Sequence, residues 1–506
     1  MGPIDGMLYG LRLVFEWQNL LAGLAGAFFG TLIGVLPGLG PIAGVALVLP
    51  ITYALEPVTG VIMMAGIFYG SMYGGSTTSI LINMPGETAS VVTCLDGYKM
   101  TQKGRAGPVL MIVAVGSFVG GTIGVLGVMF FVPQLAEFGI VFGPPELFAM
   151  TAGGLLLLTR IEGGSFASGL FPMVIGLLCS TIGQEAVTAQ NRYTFGFNDL
   201  TQGIALVALV VGLYGMSEIM YMVESMRDQP KPMSIRLRDM LPTPTEWRRS
   251  VAPYARGTVV GFFFGLIPGP CATLASFTSY RLEKGVSKYR DEIGTGVVEG
   301  VAGPETANNA AATASMVPLL GLGIPFAPVT ALMMSALMVH GVQPGPMLIT
   351  TNPEIFWGVI ISMYTGNVML LILNVPMIGI WVSLLRIPRH IFLPFILLIA
   401  TIGCYSVNNS MLDLYGMFLL GMVGYVLRKF DFHLAPMVVG VVLGPLIEKH
   451  LREGLFMSQG DLSVFYSSPI AIAIWILVLI VMTLGILQAG LKRLFGIKTK
   501  IKRNRE

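Results

Sequence analysis

The chain has 506 residues, 54% of them hydrophobic and only 11% charged, against roughly 25% charged in soluble globular domains. So few charges could not cover the surface of a soluble chain this long. Secreted, cytosolic, fibrous and nucleic-acid-binding classes are therefore excluded, and the lipid bilayer is the expected surrounding. Basic and acidic residues nearly cancel, leaving a net charge of +3 that carries little information.

At about 20 apolar residues per spanning helix, the composition sets a ceiling of roughly 13 spans. Uncharged runs such as Gly107 to Pro133 and Ser468 to Gly490 fit that reading. The expected fold class is an all-α polytopic membrane protein with about 11–13 membrane segments, some of them broken or re-entrant. Residues 1–223 read as a first membrane repeat and 224–253 as a basic cytoplasmic linker. Residues 254–467 read as a second repeat, 468–490 as an extra transmembrane helix and 491–506 as a basic cytoplasmic tail.

In chain order, Met1 to Glu16 holds one basic residue, Arg12, and no small-residue cleavage site, so it does not read as a signal peptide. The next apolar run is interrupted at Pro37-Gly38 within Gly30-x3-Gly34-x2-Pro37-Gly38. Proline removes a backbone donor and glycine permits left-handed dihedrals, so the helix is expected to stop at membrane depth. Freed backbone groups persist there only when buried in protein or lining a polar cavity.

A polar stretch follows, Gly70 to Ser79, with Ser76, Thr77 and Thr78, leading to Asn83, Pro85 and Gly86. Its hydroxyls and amide can donate to carboxylates or ring a cation, or they can simply bond between helices. The linker Glu224 to Ser250 carries Arg227, Lys231, Arg236, Arg238, Arg248 and Arg249. The tail carries Lys492, Arg493, Lys498, Lys500, Lys502, Arg503 and Arg505. Basic excess of this kind marks the cytoplasmic side.

The second half echoes the first. Gly261-x3-Gly265-x2-Pro268-Gly269 repeats the first break, 231 positions on. Gly323-Ile-Pro325 echoes Asn83-Met-Pro85, and Leu434-Ala-Pro436-Met-Val-Val-Gly440 echoes Leu170-Phe-Pro172-Met-Val-Ile-Gly176. Preserved order with a growing offset is what duplication followed by insertion produces.

Loop charges orient the copies. Arg281, Lys284, Lys288 and Arg290 oppose an equivalent loop near Tyr53 to Pro57 without Lys or Arg, while Lys99, Lys103 and Arg105 oppose a stretch around His340 to Pro353 also without them. Opposite charges at equivalent loops predict inverted repeats. Arg160 and Arg428 run against this, since both read as cytoplasmic.

Glu299 to Ala312 is the second candidate ligand-facing segment, read as unwound because Asn308 and Asn309 sit among small residues and Pro325 ends the run. Glu87, Glu299 and Glu305 are candidates for cation binding or for positions at a membrane edge. Asn408-Asn409 reads as a cap or turn. The four cysteines form no CxxC pair and the four histidines are scattered, so neither set suggests a metal site. The dipeptide Gly-Lys occurs nowhere, which excludes a P-loop, and HExxH and GxSxG are absent. Catalytic residues and resident cofactors are not expected, and transport would draw on an ion gradient.

Gly30 to Gly40, Tyr73 to Pro85, Leu95-Asp-Gly-Tyr98, Pro304 to Ala312 and Ser406-Val-Asn-Asn-Ser410 together resemble the TctA family, over about residues 15–455. That family is the large membrane subunit of bacterial tripartite tricarboxylate transporters. The resemblance implies a multi-pass protein of the bacterial inner membrane. It also implies a small TctB-like membrane subunit and a periplasmic TctC-like solute-binding protein as partners. Organic anions such as citrate would be imported on a cation gradient, commonly sodium. The binding positions expected are Pro37, Gly38, Ser76, Thr77, Thr78, Asn83, Pro85, Gly86, Pro268, Gly269, Glu305, Asn308, Asn309 and Pro325.

Overall fold

A computed structural model describes residues 3–36, 39–161, 166–185, 189–224, 237–385 and 389–494. Among these, six helices are long and apolar enough to cross a membrane: Trp17–Val35, Pro57–Ile82, Ala106–Ile140, Leu206–Glu224, Pro353–Asn374 and Met411–Lys429. Shorter apolar helices accompany them, including Gly40–Thr52, Phe166–Ser180 and Pro328–Val339. The protein is an all-α membrane protein, and its described residues include one small antiparallel strand pair in which Gly183 faces Arg192.

Two three-helix units organise the centre. In the first, Trp17–Val35 runs into Gly40–Thr52 across the Pro37-Gly38 break, which lies outside the described residues, and both pack on Pro57–Ile82. In the second, Pro244–Gly265 runs into Cys271–Val286, and both pack on Glu299–Ala314, which continues as Met316–Leu322.

Glycine sets the spacing in each unit. A Cβ on Gly26, Gly30 or Gly34 would lie 2.2–2.5 Å from the carbonyl oxygens of Met63, Ile67 and Ser71. In the second unit, a Cβ on Gly257, Gly261 or Gly265 would lie 2.3–2.6 Å from those of Gly303, Ala307 and Ala311. Hydrogen at these positions lets backbone meet backbone, the close approach that small residues give in membranes.

The helix Pro244–Gly265 begins within the stretch read as linker. Proline occupies its first turn, and Thr243 and Glu246 form a reciprocal capping box that fixes the start there.

Further helices buttress the two units. Gly116 and Gly120 of Ala106–Ile140 press on Thr306 of Glu299–Ala314, so that helix is gripped by glycine ridges on two sides. A peripheral group, Pro144–Ile161, Phe166–Ser180, Ala435–Met457 and Pro469–Leu494, packs together. Its outward side chains include Phe171 and Leu178, and those of Met411–Lys429 include Leu419 and Met422, all exposed as lipid-facing residues would be.

The segment read as unwound is regular helix, since Asn308 and Asn309 lie within Glu299–Ala314. The polar stretch Gly70 to Ser79 is likewise helical, within Pro57–Ile82. Small residues at those positions serve close packing instead of interrupting the helix. Glu299 accepts a bidentate bond from Arg249 at 2.7 and 2.8 Å. Beside it, Arg256 grips Glu283 in the same way, at the base of the second hairpin.

Candidate functional site

The helix Pro57–Ile82 stops because Asn83 turns left-handed, with φ 57°. Pro85 cannot continue the helix, and the chain folds back so tightly that a Cβ on Gly86 would meet Gly75 Cα at 2.4 Å and Gly34 O at 2.5 Å. Only glycine fits there. The turn leaves Asn83, Pro85 and Thr88 exposed and Glu87 half-buried.

Met316–Leu322 stops in the same manner at Gly323, with φ 71°. Pro325 follows, and the next helix starts at Pro328, where Thr330 accepts from the Ala327 amide at 3.0 Å. The spacing of 240 positions is constant across the units, from Met63 and Gly303 to Asn83 and Gly323 and on to Pro85 and Pro325.

The hairpin tips meet these breaks. Gly269, with φ 128°, donates its amide to Phe326 O at 2.8 Å, which seats Pro268-Gly269 against the second break. A Cβ on Gly40 would lie 4.0 Å from Glu87 Cβ, so the start of Gly40–Thr52 reaches the first break. The hydroxyls of Thr88 and Thr273 lie 2.9 Å apart and tie the first break to the second tip. The two breaks, the Pro268-Gly269 tip and the start of Gly40–Thr52 therefore adjoin one junction.

Helix Glu299–Ala314 supplies its polar face. Glu305 is fully buried and accepts from Ser76 Oγ at 2.5 Å and from Thr93 Oγ1. One turn further, Asn308 donates to Glu87 Oε1 at 2.9 Å. Asn309 faces away, donating to Ser117 Oγ at 2.8 Å and to Glu305 O at 3.1 Å, so it braces Ala106–Ile140. Thr78 bonds back to Gly75 O at 3.0 Å, and Thr77 is buried.

Thr88, Thr93 and Thr273 are not among the positions the sequence points to, and sequence gives Glu87 no partner. One signal was present: Glu87-Thr-Ala89 and Glu305-Thr-Ala307 share a tripeptide beside a proline.

Asp96 closes the far side. Its buried carboxylate accepts the amides of Gly294 at 2.9 Å, Gly296 at 2.7 Å and Val297 at 3.1 Å, with the Tyr280 hydroxyl at 3.0 Å. Lys99 and Lys103 reach the carbonyls of Gly294 and Gly296 beside it. Near the other end of Pro57–Ile82, the His340 ring stacks on Tyr53 at 6.2 Å. There a cavity of about 360 Å³ opens beside the second break, lined by Gly323, Ile324, Gln343, Thr151, Lys449 and His450.

Comparison with known proteins agrees with the resemblance. The model of the tripartite tricarboxylate transporter TctA family matches residues 20–439. An uncharacterized 52.8 kDa protein in the TAR-I ttuC' 3' region of Agrobacterium vitis is 45% identical over 471 residues, covering 93% of this chain and 94% of that protein. A second Agrobacterium vitis protein, uncharacterized and in the TAR-II ttuC' 3' region, is 49% identical over 229 residues, covering 45% of this chain and 95% of that protein. No solved structure matches. Membership implies a component of a multi-subunit transport system, not an enzyme. The chain belongs to the TctA family of tripartite tricarboxylate transporters.

Proposed function

We propose that this chain is the translocating subunit of a secondary active importer of organic di- and tricarboxylates such as citrate. A cation gradient, sodium in this reading, drives uptake across the bacterial inner membrane. A TctC-like periplasmic binding protein delivers the substrate, and a TctB-like small membrane subunit completes the complex. The observation that carries the reading is the Thr88–Thr273 contact, because it draws breaks from both units to one place. Paired interrupted helices are the strongest pointer to a transporter's binding site.

The two hairpins are read as re-entrant and the two units as inverted repeats. Supporting inversion, the segment after the first break ends against the loop at Gly294, and the segment after the second ends against Tyr53. These contacts lie near opposite ends of Pro57–Ile82, a helix of 26 residues and about 39 Å. Helices Gly40–Thr52, Cys271–Val286 and Pro328–Val339 all start at the junction. Their N-termini offer positive dipole ends to substrate carboxylates. Asn83, Glu87, Thr88 and Thr273 are polar side chains at that junction with access to solvent.

Reconstitution tests the proposal. Proteoliposomes carrying this chain with its small partner subunit are given radiolabelled citrate and other carboxylates, with and without the binding protein, under imposed sodium or proton gradients. Accumulation that needs the binding protein and one gradient is expected. Accumulation without the binding protein removes the tripartite element, and equilibration without accumulation makes the chain a channel.

A further inference from the structure

We infer that a single monovalent coupling cation is held between the carboxylates of Glu87 and Glu305 and the side-chain oxygen of Asn308, and that the duplication leaves this position in one unit only. The inference rests on the transport reading and adds to it a location and a count.

Burial is the first argument. Glu305 is fully buried within Glu299–Ala314, and its oxygens meet the hydroxyls of Ser76 and Thr93 and the amide of Asn308, none of them charged. Among the described residues, none of the salt bridges includes Glu305 or Glu87. A carboxylate removed from water without a positive partner is costly, so it either takes up a proton or holds a metal cation. Glu283 and Glu299, lower on the same bundle, meet the same demand with Arg256 and Arg249.

Asn308 is the second. It has no exposed surface, its amide nitrogen serves the carboxylates of Glu87 and Glu305, and its Oδ1 is buried without any donor. An amide oxygen is an acceptor only. A cation at this point satisfies Oδ1 and both carboxylates together. The donors are all oxygen, the set suited to a hard ion.

The third argument is the broken symmetry. The constant spacing of 240 positions pairs Glu87 with Ala327, Glu305 with Ala65 and Asn308 with Phe68. Those three equivalents are apolar and nearly fully buried. Two units that share glycine contacts and left-handed helix ends thus differ at this constellation, so one ion per chain is expected here.

The test measures the ion, not transport. The full chain with its small partner subunit, in nanodiscs and without substrate, is assayed for 22Na+ binding. Proton release is read in parallel with a pH dye. Wild-type protein is expected to bind sodium saturably; Glu305→Gln and Glu87→Gln are expected to abolish binding, and Asn308→Ala to weaken it about tenfold, since affinity follows ligand charge and number. Ala327→Ser, at the apolar equivalent, should bind as wild type.

A proton as the ion would appear as a pH-dependent signal without sodium binding, lost in the same variants. Where Glu305→Gln fails to assemble, Asn308→Ala decides. The proposal is overturned by wild-type ion binding in Asn308→Ala, or by wild-type protein that gives neither signal. Because no flux is measured, gradient-independent uptake with intact ion binding would remove the coupling claim and keep the site. Coupled uptake with normal binding in every variant would do the reverse.

Discussion

Thr88 and Thr273 set their hydroxyl oxygens 2.9 Å apart, although one follows the first helix break and the other opens the helix after the second hairpin tip. If substrate passes at this junction, the contact must open and close during each cycle. We expect Thr88→Cys with Thr273→Cys, in a chain whose Cys94 and Cys271 are replaced by alanine, to form a disulfide on oxidation, because the side chains already meet. Uptake in proteoliposomes should fall to background and recover on reduction. Full uptake by the completely cross-linked protein would mean that the junction does not move.

The glycine ridges make a separate prediction about stability. Gly261→Ala would put a methyl group 2.3 Å from Ala307 O, and Gly30→Ala one 2.5 Å from Ile67 O. In both cases the obstacle is backbone, which cannot rotate away. Overpacking of this kind costs about 1–3 kcal/mol, so both variants should lose monodisperse protein at lower temperature than wild type. Gly366→Ala meets nothing within 4 Å and should leave the transition unchanged. Size-exclusion profiles after graded heating give the comparison.

Much of this organisation was legible because breaks are local. Proline with glycine stops a helix from information within a few residues, so the stop at Pro268-Gly269 follows directly from sequence, whereas the end at Asn83 emerges only from the structure. The polar segments misled for a related reason. Asn308 and Asn309 among alanines look like unwound chain, yet packing by Gly257, Gly261, Gly116 and Gly120 keeps that segment helical. Which hydroxyl meets which carboxylate depended on distant pairings, such as Thr93 with Glu305 across 212 positions. Nothing in local periodicity encodes such a pairing. Asn309 shows the limit most directly, since it neighbours Asn308 in sequence but turns to Ser117.

Asp96 carries a third prediction. Its carboxylate holds three successive parts of the backbone between Gly294 and Val297, just ahead of helix Glu299–Ala314. Asp96→Asn keeps the shape, removes the charge and turns one oxygen into a donor facing donors. Leaving such buried amides unsatisfied costs about 1–3 kcal/mol. Amide hydrogen exchange across 294–297 should therefore accelerate, while exchange within Trp17–Val35 stays as in wild type. Unchanged protection at 294–297 would show that the loop is held by Lys99 and Lys103 instead.

Lys449 tests how anions reach the second break. It is exposed on the rim of the cavity that extends to Gly323, beside buried His450. A lone positive group at the mouth of a low-dielectric cleft raises the local concentration of anions, and salt screens that effect. Lys449→Glu should raise the substrate concentration for half-maximal uptake by about tenfold at low ionic strength, with maximal rate preserved. Lys449→Gln should fall between. The three proteins should converge in high salt made with a chloride salt of a non-coupling cation. A loss of maximal rate that salt does not relieve would place Lys449 in the folding of the peripheral helices and remove it from the approach path.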